Sequence, residues 1–545
     1  MTMTPSRSTT IPTDALDAAL ASGDLAAMVD AVVEHARASG ERELLVQGDR
    51  RLTGATLADQ VERTAHAFSR RRMRPGDVIM FGVRPGIDAL VLLMAAMRNG
   101  AVGTFVDPGA GNELFARRLE LLRPSWVVAE SLLYAASART PLSIYLRRAG
   151  LELPRLAKVP GQHVRAGWRV PGLVPRSLAL HKLVQESAGE PAALPASIEP
   201  DAPSMVIFTS GTTGIPKGVQ HTGRSITGAV RMLLGGFELP ADAVVYTQNV
   251  HTFVVGALKG LRCVVAPLSI TPEKFLRDVK EHRVTHAFLL PVEAWKVALH
   301  CERTGRRLPE SLRHLFLFSA PITSTVLERV HALGSDDMKI TCAYAMTEMV
   351  PVAWIDSREK LAWSGDGDVV GWPVPGVDAR IVGEELELRG PNTFLGYVGM
   401  ERVDWHRTGD NARIDDEGRI VLMGRAKDML IRDDFNLYPG LYEPTISRID
   451  GVGACAIIGV PDPETADERV LLYVEPDPAA RGLTSDELHK RVERGIRSGD
   501  TRIDVKALPD EIRVVEQLPR SGRSHKIDRK ALRVHAAASD EGATR

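Results

Sequence analysis

The chain has 545 residues, of which 44% are hydrophobic and 25% charged, and its formal net charge is −1. This composition excludes a disordered or collagen-like chain, and the length suggests roughly three to four domain-sized units. The near-neutral charge excludes a sequence-wide attraction to nucleic acid or to an anionic membrane, so we expect a small-molecule substrate. Four scattered cysteines without a C-x-x-C pair argue against a disulfide framework or a zinc site, and we expect them to be buried.

Neither the N-terminus nor the most apolar stretch of the chain has the features of a membrane-targeted segment. The first residues are polar and lack the apolar core of a signal peptide, which predicts a cytoplasmic protein. Residues 89–97 form the longest apolar run, but a membrane span needs about 20 residues, so we expect no transmembrane segment. The run is predicted to be a buried helix that ends near Gly100. Residues 1–20 and 536–545 are predicted to be flexible tails.

Strand and helix patterns alternate between residues 200 and 345. Short β-branched or aromatic runs predict strands near residues 204–209, 262–267, 284–290 and 314–319. A helix is predicted over residues 272–282, because Thr271 can cap it and Pro272 suits its first turn. Strands that alternate with helices indicate right-handed crossovers and largely parallel sheets, so the predicted fold class is α/β.

A loop rich in glycines and hydroxyl groups follows the predicted strand 204–209. The residues of this loop that are suited to contact a phosphate are Thr209, Ser210, Gly211, Thr212, Thr213, Gly214 and Lys217. Glycines allow a close backbone approach, the hydroxyls donate hydrogen bonds and the lysine adds positive charge. The spacing is not that of a Walker P-loop. The loop predicts a site for a nucleoside triphosphate, and the alternative is a Gly/Thr-rich surface turn.

Five further motifs lie C-terminal to this loop. They are Ser319-Ala320-Pro321, Tyr344-Ala345-Met346-Thr347-Glu348, Arg407-Thr408-Gly409-Asp410, Gly424-Arg425-Ala426-Lys427-Asp428 and the basic segment 519–529 around Lys526. The first motif has low specificity by itself, and the other four have ordinary alternatives, which are in order a helix start, a type I turn, an interdomain turn and a solvated basic tail. The pattern changes to a compact α+β unit after residue 424, where we place a domain boundary.

Together, the loop and these motifs resemble those of the adenylate-forming superfamily, which includes acyl- and aryl-CoA synthetases, peptide-synthetase adenylation domains and luciferases. The resemblance spans residues 45–535. It implies a large N-terminal domain of layered, largely parallel sheets over residues 21–424, a hinge at 425–428 and a small mobile α+β C-terminal domain over 429–535. It also implies that a carboxylic acid and MgATP give acyl-AMP and pyrophosphate, conventionally followed by acyl transfer to CoA.

The resemblance also implies which residues bind the nucleoside. Tyr344 would stack on adenine in a pocket lined by Ala320 and Pro321. Asp410 would accept hydrogen bonds from both ribose hydroxyls, as an ionised carboxylate can. Arg425 would reach oxygens of the nucleotide.

The residues implied for the phosphates and the metal are Thr209, Lys217, Thr347, Glu348 and Lys526. Thr347 would meet a phosphate, and Glu348, with Thr209, would hold Mg²⁺. A carboxylate that attacks an α-phosphate must overcome repulsion between two anions, so Lys217 and Lys526 are the expected catalytic charges.

The hinge and the acyl pocket have one implied residue each. Asp428 would absorb the dihedral change as the small domain rotates. His251 would lie beside the acyl pocket, and its alternative is a hydrogen-bonded core histidine.

The acyl acceptor is the part of the function that the motifs leave open. Asp433 and Asp434 stand where CoA ligases of the superfamily carry glycines, and their side chains would narrow a thiol channel. Residues 106–111 are similar to a segment of β-lactone synthetases, in which the substrate's own hydroxyl displaces AMP. We therefore expect a fatty or related acyl acid, with CoA, a carrier protein or an intramolecular hydroxyl as the acceptor. A non-catalytic protein that binds nucleotide or acyl ligand is the alternative of another class, and the intact charged motif residues argue against it.

Overall fold

The computed structural model describes most of the chain, with several short gaps. The described residues are 13–105, 111–138, 143–144, 155–167, 177–185, 192–209, 217–425, 428, 430–432, 435–437, 439–461, 468–480, 482–503, 507–521 and 525–543. Several predicted positions lie outside the described residues, namely Ser210, Gly211, Thr212, Thr213, Gly214, Asp433, Asp434 and residues 106–110.

The strands of the described residues are labelled in chain order. They are β1 (Glu43–Gln47), β2 (Arg50–Thr53), β3 (Val78–Gly82), β4 (Val102–Phe105), β5 (Trp126–Glu130), β6 (Gln162–Ala166), β7 (Leu178–Ala179), β8 (Pro203–Thr209), β9 (Lys217–Thr222), β10 (Val244–Thr247), β11 (Arg262–Val265), β12 (His286–Leu289), β13 (His314–Leu317), β14 (Lys339–Met346), β15 (Met349–Asp356), β16 (Asp368–Pro373), β17 (Asp378–Val382), β18 (Glu385–Arg389), β19 (Gly396–Tyr397), β20 (His406–Ile414), β21 (Ile420–Arg425), β22 (Leu430–Arg432), β23 (Phe435–Leu437), β24 (Val452–Pro461), β25 (Glu468–Pro476), β26 (Glu511–Val514), β27 (Arg520–Ser521) and β28 (Lys526–Ile527).

The helices of the described residues are interspersed with these strands. They span Thr13–Ser22, Leu25–Ala38, Gly54–Arg70, Ile87–Arg98, Gly111–Leu122, Ser131–Ser137, Leu180–Gln185, Gly223–Gly236, Val250–Lys259, Pro272–His282, Pro291–Thr304, Ser324–Leu333, Ser357–Ala362, Pro439–Ile446, Ser485–Arg497 and Arg529–Ala543. Within the described residues, no helix is both long enough and apolar enough to cross a membrane.

The chain divides into two compact units, and each unit is assembled from separate stretches of sequence. The first comprises Met1–Ser269, Thr347–Pro351 and Pro391–Asp404. The second comprises Ile270–Met346, Val352–Gly390 and Trp405–Arg545. The division is therefore interleaved, whereas the sequence suggested a single boundary near residue 424.

The first unit contains an eight-stranded sheet that carries the start and the end of the glycine-rich loop. Its strand order is β19-β9-β8-β4-β3-β5-β6-β7. Neighbouring strands in the run β8-β4-β3-β5-β6-β7 pair in parallel. Strand β9 pairs antiparallel with β8 and with β19. The same unit holds β10, β11, β1 and β2, of which only the β1–β2 pair is antiparallel. The expectation of largely parallel strands is confirmed here.

The second unit is more mixed. Strands β12, β13 and β14 pair in parallel, whereas β15 to β18, β20 and β21 form antiparallel pairs. Its C-terminal part has a three-stranded sheet in the order β24-β25-β26, with apolar residues of helix Ser485–Arg497 buried in the same core as Ile457 and Leu472. The predicted α/β class with a small α+β portion is confirmed.

Local sequence signals located two helices well. Helix Pro272–His282 has Thr271 as its N-cap, whose side chain accepts from the backbone N–H of Lys274 at 3.3 Å. The apolar run 89–97 lies in helix Ile87–Arg98, and Gly100 follows with φ 71°. The four cysteines are buried, as expected.

The structure differs from the expected flexible tails at both ends of the described chain. Residues of helix Thr13–Ser22 include Leu20, which is buried. Helix Arg529–Ala543 buries Ala536 in one apolar cluster with Leu532 and Tyr473. Most of the apolar residues of these two helices are alanines, so burial of the helices depends on tertiary contacts that a local pattern does not reveal.

Candidate active site

The predicted phosphate loop connects two antiparallel strands. Strand β8 ends at Thr209, β9 begins at Lys217, and these two residues are register partners. A Walker P-loop joins a strand to a helix instead, so this strand–loop–strand context agrees with the absence of the Walker spacing. The backbone therefore places Thr209 and Lys217 opposite each other at the base of the loop.

Tyr397 contacts both a predicted phosphate-binding residue and the predicted metal ligand. The ammonium Nζ of Lys217 lies 5.1 Å from the centroid of the Tyr397 ring, which is within the range of a cation–π interaction. The Tyr397 hydroxyl donates a hydrogen bond to Glu348 Oε1 at 2.9 Å. Hydrogen bonds to an ionised carboxylate are stronger than neutral ones. One side chain thus orients the carboxylate and attracts the ammonium.

The backbone of the Thr347-Glu348 pair is held by two further hydrogen bonds. His221 Nε2 lies 2.8 Å from the carbonyl oxygen of Thr347, and the N–H of Phe394 donates to the carbonyl of Glu348 at 3.0 Å. Since a carbonyl only accepts, His221 carries its proton on Nε2, and Nδ1 faces the hydroxyl of Ser225 at 3.2 Å. Burial lowers the pKa of His221, against the opposing effects of the Thr347 carbonyl and the Glu348 charge.

His251 lies in the first turn of helix Val250–Lys259. Burial, with a smaller contribution from the neighbouring His221, lowers the pKa of His251 to about 4. The imidazole is therefore neutral near pH 7. It offers one donor and one acceptor to a bound group but no positive charge.

The residues predicted to bind the nucleoside lie in the second unit. Tyr344 donates its hydroxyl hydrogen bond to Asp410 Oδ2 at 2.5 Å, and Asp410 is a register partner of Arg425 across β20 and β21. Leu317 of β13 pairs in parallel with Cys342 of β14. Ala320 and Pro321 therefore follow the carboxyl end of β13, and Tyr344 lies near the carboxyl end of the adjacent parallel strand β14. This is the edge where ligands bind in open α/β sheets.

The predicted catalytic lysine lies on a short hairpin. Lys526 of β28 is the register partner of Ser521 of β27, and its side chain is exposed. The base of the hairpin is held where Arg520 Nη1 contacts Glu475 Oε2 at 2.8 Å. The position of Lys526 is therefore set by the small three-stranded sheet, since Glu475 lies on β25.

Arg529 links the Lys526 segment to the predicted hinge. Its Nη2 contacts both carboxylate oxygens of Glu443, at 2.7 and 2.6 Å, and its Nη1 lies 3.9 Å from Asp428 Oδ2. Glu443 also accepts the backbone N–H of Ile457 at 2.7 Å. The pKa of Arg529 is raised, mainly by the negative charge of Glu443. The predicted hinge residue Asp428 and the predicted catalytic segment thus share one charged contact.

Sequence reasoning missed the roles of Tyr397, His221 and Arg529. Tyr397 follows a glycine in an unremarkable apolar stretch, and His221 stands in a strand pattern without any metal-like spacing. Arg529 was one of several basic residues in a segment that resembled a solvated tail. The partners of these residues lie 49, 126 and 86 positions away, so the local sequence carried no signal for the contacts.

Family models match two parts of the chain. The model described as "AMP-binding enzyme" matches residues 32–398, and that described as "AMP-binding enzyme C-terminal domain" matches residues 442–526. The predicted hinge at 425–428 lies in the interval between the two matches.

Several relatives in sequence are CoA ligases. One is the 3-[(3aS,4S,7aS)-7a-methyl-1,5-dioxo-octahydro-1H-inden-4-yl]propanoyl:CoA ligase of Rhodococcus jostii strain RHA1, 29% identical over 91% of this chain and 96% of that protein. Another is the feruloyl-CoA synthase of an Amycolatopsis species, 27% identical over 90% of this chain and 95% of that protein.

Solved structures show the same fold at lower identity. The amide bond synthetase McbA from Marinactinospora thermotolerans has a TM-score of 0.74 at 21% identity and covers 94% of this chain and 99% of its own. The o-succinylbenzoate CoA synthetase of Bacillus subtilis, solved with ATP and a magnesium ion, has a TM-score of 0.71 at 18% identity and covers 92% and 98%. Because the first family model covers more than half of the sequence, the chain belongs to the AMP-binding enzymes of the adenylate-forming superfamily, a family of AMP-forming acid:CoA ligases.

Proposed function

We propose that this chain activates an apolar carboxylic acid with ATP to an acyl-AMP and then transfers the acyl group to CoA. The observation that carries the proposal is the arrangement around Tyr397, where Glu348 and Lys217 contact the same side chain. An acidic oxygen ligand next to an ammonium group is the combination that a metal-bound triphosphate requires.

The donor chemistry of the first unit fits magnesium. Mg²⁺ prefers carboxylate and phosphate oxygens, and Glu348 has a second carboxylate oxygen, Oε2, besides the one that accepts from Tyr397. When bound with ATP, Mg²⁺ supplies positive charge that offsets the charge of the phosphate oxygens. The protein residues would hold the triphosphate from other sides, with Lys217 and the hydroxyl of Thr347 as donors.

In the first half-reaction, an oxygen of the substrate carboxylate attacks the α-phosphorus, the new P–O bond forms, and the bond to the β-phosphate oxygen breaks to release pyrophosphate. Lys217 and Lys526 would stabilise the negative charge of the attacking and leaving groups by their ammonium charges. Tyr344, Asp410 and Arg425 would fix the nucleoside, so that binding energy is used to orient the α-phosphate. No residue has to act as a general base in this step.

In the second half-reaction, the thiol sulfur of CoA attacks the acyl carbon and a C–S bond forms. The bond from the acyl carbon to the phosphate oxygen of AMP breaks, AMP leaves, and the thiol proton is released to water. CoA is proposed as the acceptor because the two full-length relatives named above are CoA ligases. Asp433 and Asp434, whose side chains were expected to narrow a thiol channel, lie outside the described residues.

We propose a ring-bearing acid as the preferred substrate and retain a fatty acid as the alternative. Three relatives are named for ring-bearing acyl groups, which are an octahydroindenyl propanoyl group, a feruloyl group and, for a ligase of an Aromatoleum species, 3-hydroxybenzoate. The neutral state of His251 suits an apolar or hydrogen-bonding ring better than a second carboxylate.

The test is product analysis with the purified full-length chain. The protein is incubated with MgATP and a panel of benzoic, cinnamic, ring-bearing propanoic, fatty and β-hydroxy fatty acids, with CoA present or omitted, and Glu348→Gln serves as the control. ATP–pyrophosphate exchange together with a thioester from a ring-bearing acid is the expected result. A lactone formed without CoA would indicate that the substrate's own hydroxyl, and not CoA, accepts the acyl group. The absence of ATP–pyrophosphate exchange with every acid would support a non-catalytic binding protein.

A further inference from the structure

We propose that Tyr397 is a positioning residue that presents the Glu348 carboxylate to magnesium and keeps it separate from the Lys217 ammonium. This inference rests on the proposed function, because it assigns the metal and phosphate roles to Glu348 and Lys217. It adds a residue that none of the sequence motifs contained.

The backbone of Tyr397 is fixed to the strand that starts at Lys217. Tyr397 is the register partner of Val219, and the N–H of Val398 donates to the carbonyl of Gly218 at 2.8 Å. The neighbouring Gly396 has φ 150°, and a β-carbon there would lie 2.6 Å from the carbonyl oxygen of Glu401. This position therefore requires glycine, and the tight turn sets the direction in which the chain enters Tyr397.

The Tyr397 ring is also held from the side. It packs edge-on against Phe394, with ring centroids 5.1 Å apart and an interplanar angle of 68°. Phe394 in turn donates its N–H to the carbonyl of Glu348. The segment 394–397 thus fixes Glu348 twice, once through the backbone and once through the carboxylate.

In this arrangement two opposite charges each contact Tyr397, one at the ring and one at the hydroxyl, and they do not pair with each other. Lys217 and Glu348 both lie in the described part of the chain, and their charged groups make no ion pair there. A direct ion pair would neutralise the carboxylate and the ammonium before the metal and the phosphate arrived, and breaking it would weaken the binding of both. The phenol is a neutral donor, and it donates its hydrogen bond to Oε1 of Glu348. A metal ion could therefore bind Oε2 without displacing the phenol.

The two substitutions at this position separate the hydroxyl from the ring. Tyr397→Phe removes the bond to Glu348 and keeps the aromatic face next to Lys217, whereas Tyr397→Leu removes both. A matched control is Tyr473→Phe, which removes a hydroxyl that accepts from Arg513 Nη1 at 3.0 Å in the C-terminal part of the second unit. Thermal unfolding of all three variants verifies that they fold.

The direct measurement is the binding of Mn²⁺, used as the probe for magnesium, in the presence of α,β-methylene-ATP, with free Mn²⁺ quantified by electron paramagnetic resonance. We expect Tyr397→Phe to weaken Mn²⁺ binding by about 10- to 100-fold, the usual effect of removing a group that orients a metal ligand. Tyr473→Phe should bind as the wild type does. Wild-type affinity in Tyr397→Phe, or failure of the wild type to bind Mn²⁺ with the nucleotide, would overturn the inference.

A kinetic measurement separates this inference from the proposed function. In ATP–pyrophosphate exchange, Tyr397→Phe should require more Mg²⁺ for half-maximal rate and regain most of the wild-type kcat at saturating Mg²⁺, whereas Tyr397→Leu should not regain it. An equal Mg²⁺ requirement in wild type and Tyr397→Phe would contradict the positioning role while leaving adenylation intact. Loss of exchange with every acid in the wild type, together with weaker Mn²⁺ binding in Tyr397→Phe, would contradict the enzyme function and support the positioning role.

Discussion

We predict that the ion pair between Arg529 and Glu443 stabilises the small C-terminal part of the molecule. Arg529→Met keeps a long apolar side chain but leaves the carboxylate of Glu443 without its guanidinium partner. The side chains are 21% and 16% exposed, so the pair is mostly buried and water screens it little. We expect the substitution to destabilise the surrounding structure, including β24, whose Ile457 N–H also bonds to Glu443.

The burial of the pair sets the magnitude. Breaking a fully buried pair costs about 3 to 5 kcal/mol, and breaking an exposed pair costs about 0.2 to 1 kcal/mol. With four-fifths of each side chain buried, we expect a loss of about 2 to 4 kcal/mol. A change of about 1.4 kcal/mol alters an opening equilibrium tenfold, so amide protection should fall by roughly 30- to 700-fold.

Native-state hydrogen exchange of the peptide Val452–Pro461, followed by mass spectrometry, measures this loss locally. The matched control is Arg37→Met, which breaks the ion pair between Arg37 and Glu62. In that pair the Arg37 side chain is 51% exposed and the Glu62 side chain 45% exposed. Exchange of helix Leu25–Ala38 should change by at most about fivefold in that control. The double variant Arg529→Met/Glu443→Gln retains an acceptor for Ile457 and should recover part of the protection, because it removes the unpaired charge.

Equal protection in wild type and Arg529→Met would refute the reasoning, since it would mean that the pair is not desolvated. Recovery in the double variant distinguishes an unpaired charge from a packing defect. If the double variant exchanges as fast as Arg529→Met, the loss comes from the packing of the guanidinium and not from its charge.

Three further predictions concern the proposed site. Lys526→Ala should lower ATP–pyrophosphate exchange by about two to three orders of magnitude without a change in Tm, because its side chain is exposed; a near-normal rate would contradict its role. Asp410→Asn should raise the KM for ATP about tenfold, while Tyr344→Phe, which keeps the carboxylate, should raise it less, and the reverse order would argue against ribose binding by Asp410. The pKa of His251 is about 4 in the folded chain and 6.5 in a model peptide, so the unfolded state takes up the proton first. Stability should therefore fall by about 1.4 kcal/mol per pH unit from pH 6.5 to 4 relative to His251→Phe, measured by urea unfolding; parallel pH curves for the two proteins would exclude this effect.

The sequence predicted elements whose signals lie within a few residues of each other. Helix Pro272–His282 has its cap, its proline and its apolar stripe inside one short segment, and its bounds were predicted correctly. The strand–loop pattern around Thr209 and the motif order along the chain were sufficient to identify the superfamily, because each motif combines a special backbone with a few polar residue types.

Contacts between distant segments could not be predicted in the same way. The hydrogen bond of Tyr397 to Glu348 depends on β19 pairing with β9, and β19 has only two residues. A strand of that length has no detectable period, so its partner is decided by tertiary packing. The same limit applies to the helix Thr13–Ser22, which was expected to be a flexible tail.

The interleaved composition of the first unit has a consequence for the order in which the protein folds during synthesis. Strand β9 lies within the first 269 residues, but its edge is completed only by β19, in a stretch of the unit that ends at Asp404. The ribosome must therefore add roughly 175 residues after Thr222, the end of β9, to complete β19 at Tyr397, which takes about 9 to 35 s at about 5–20 residues per second. During that interval, the nascent chain exposes an unpaired strand edge, which is where a holding chaperone would be expected to bind.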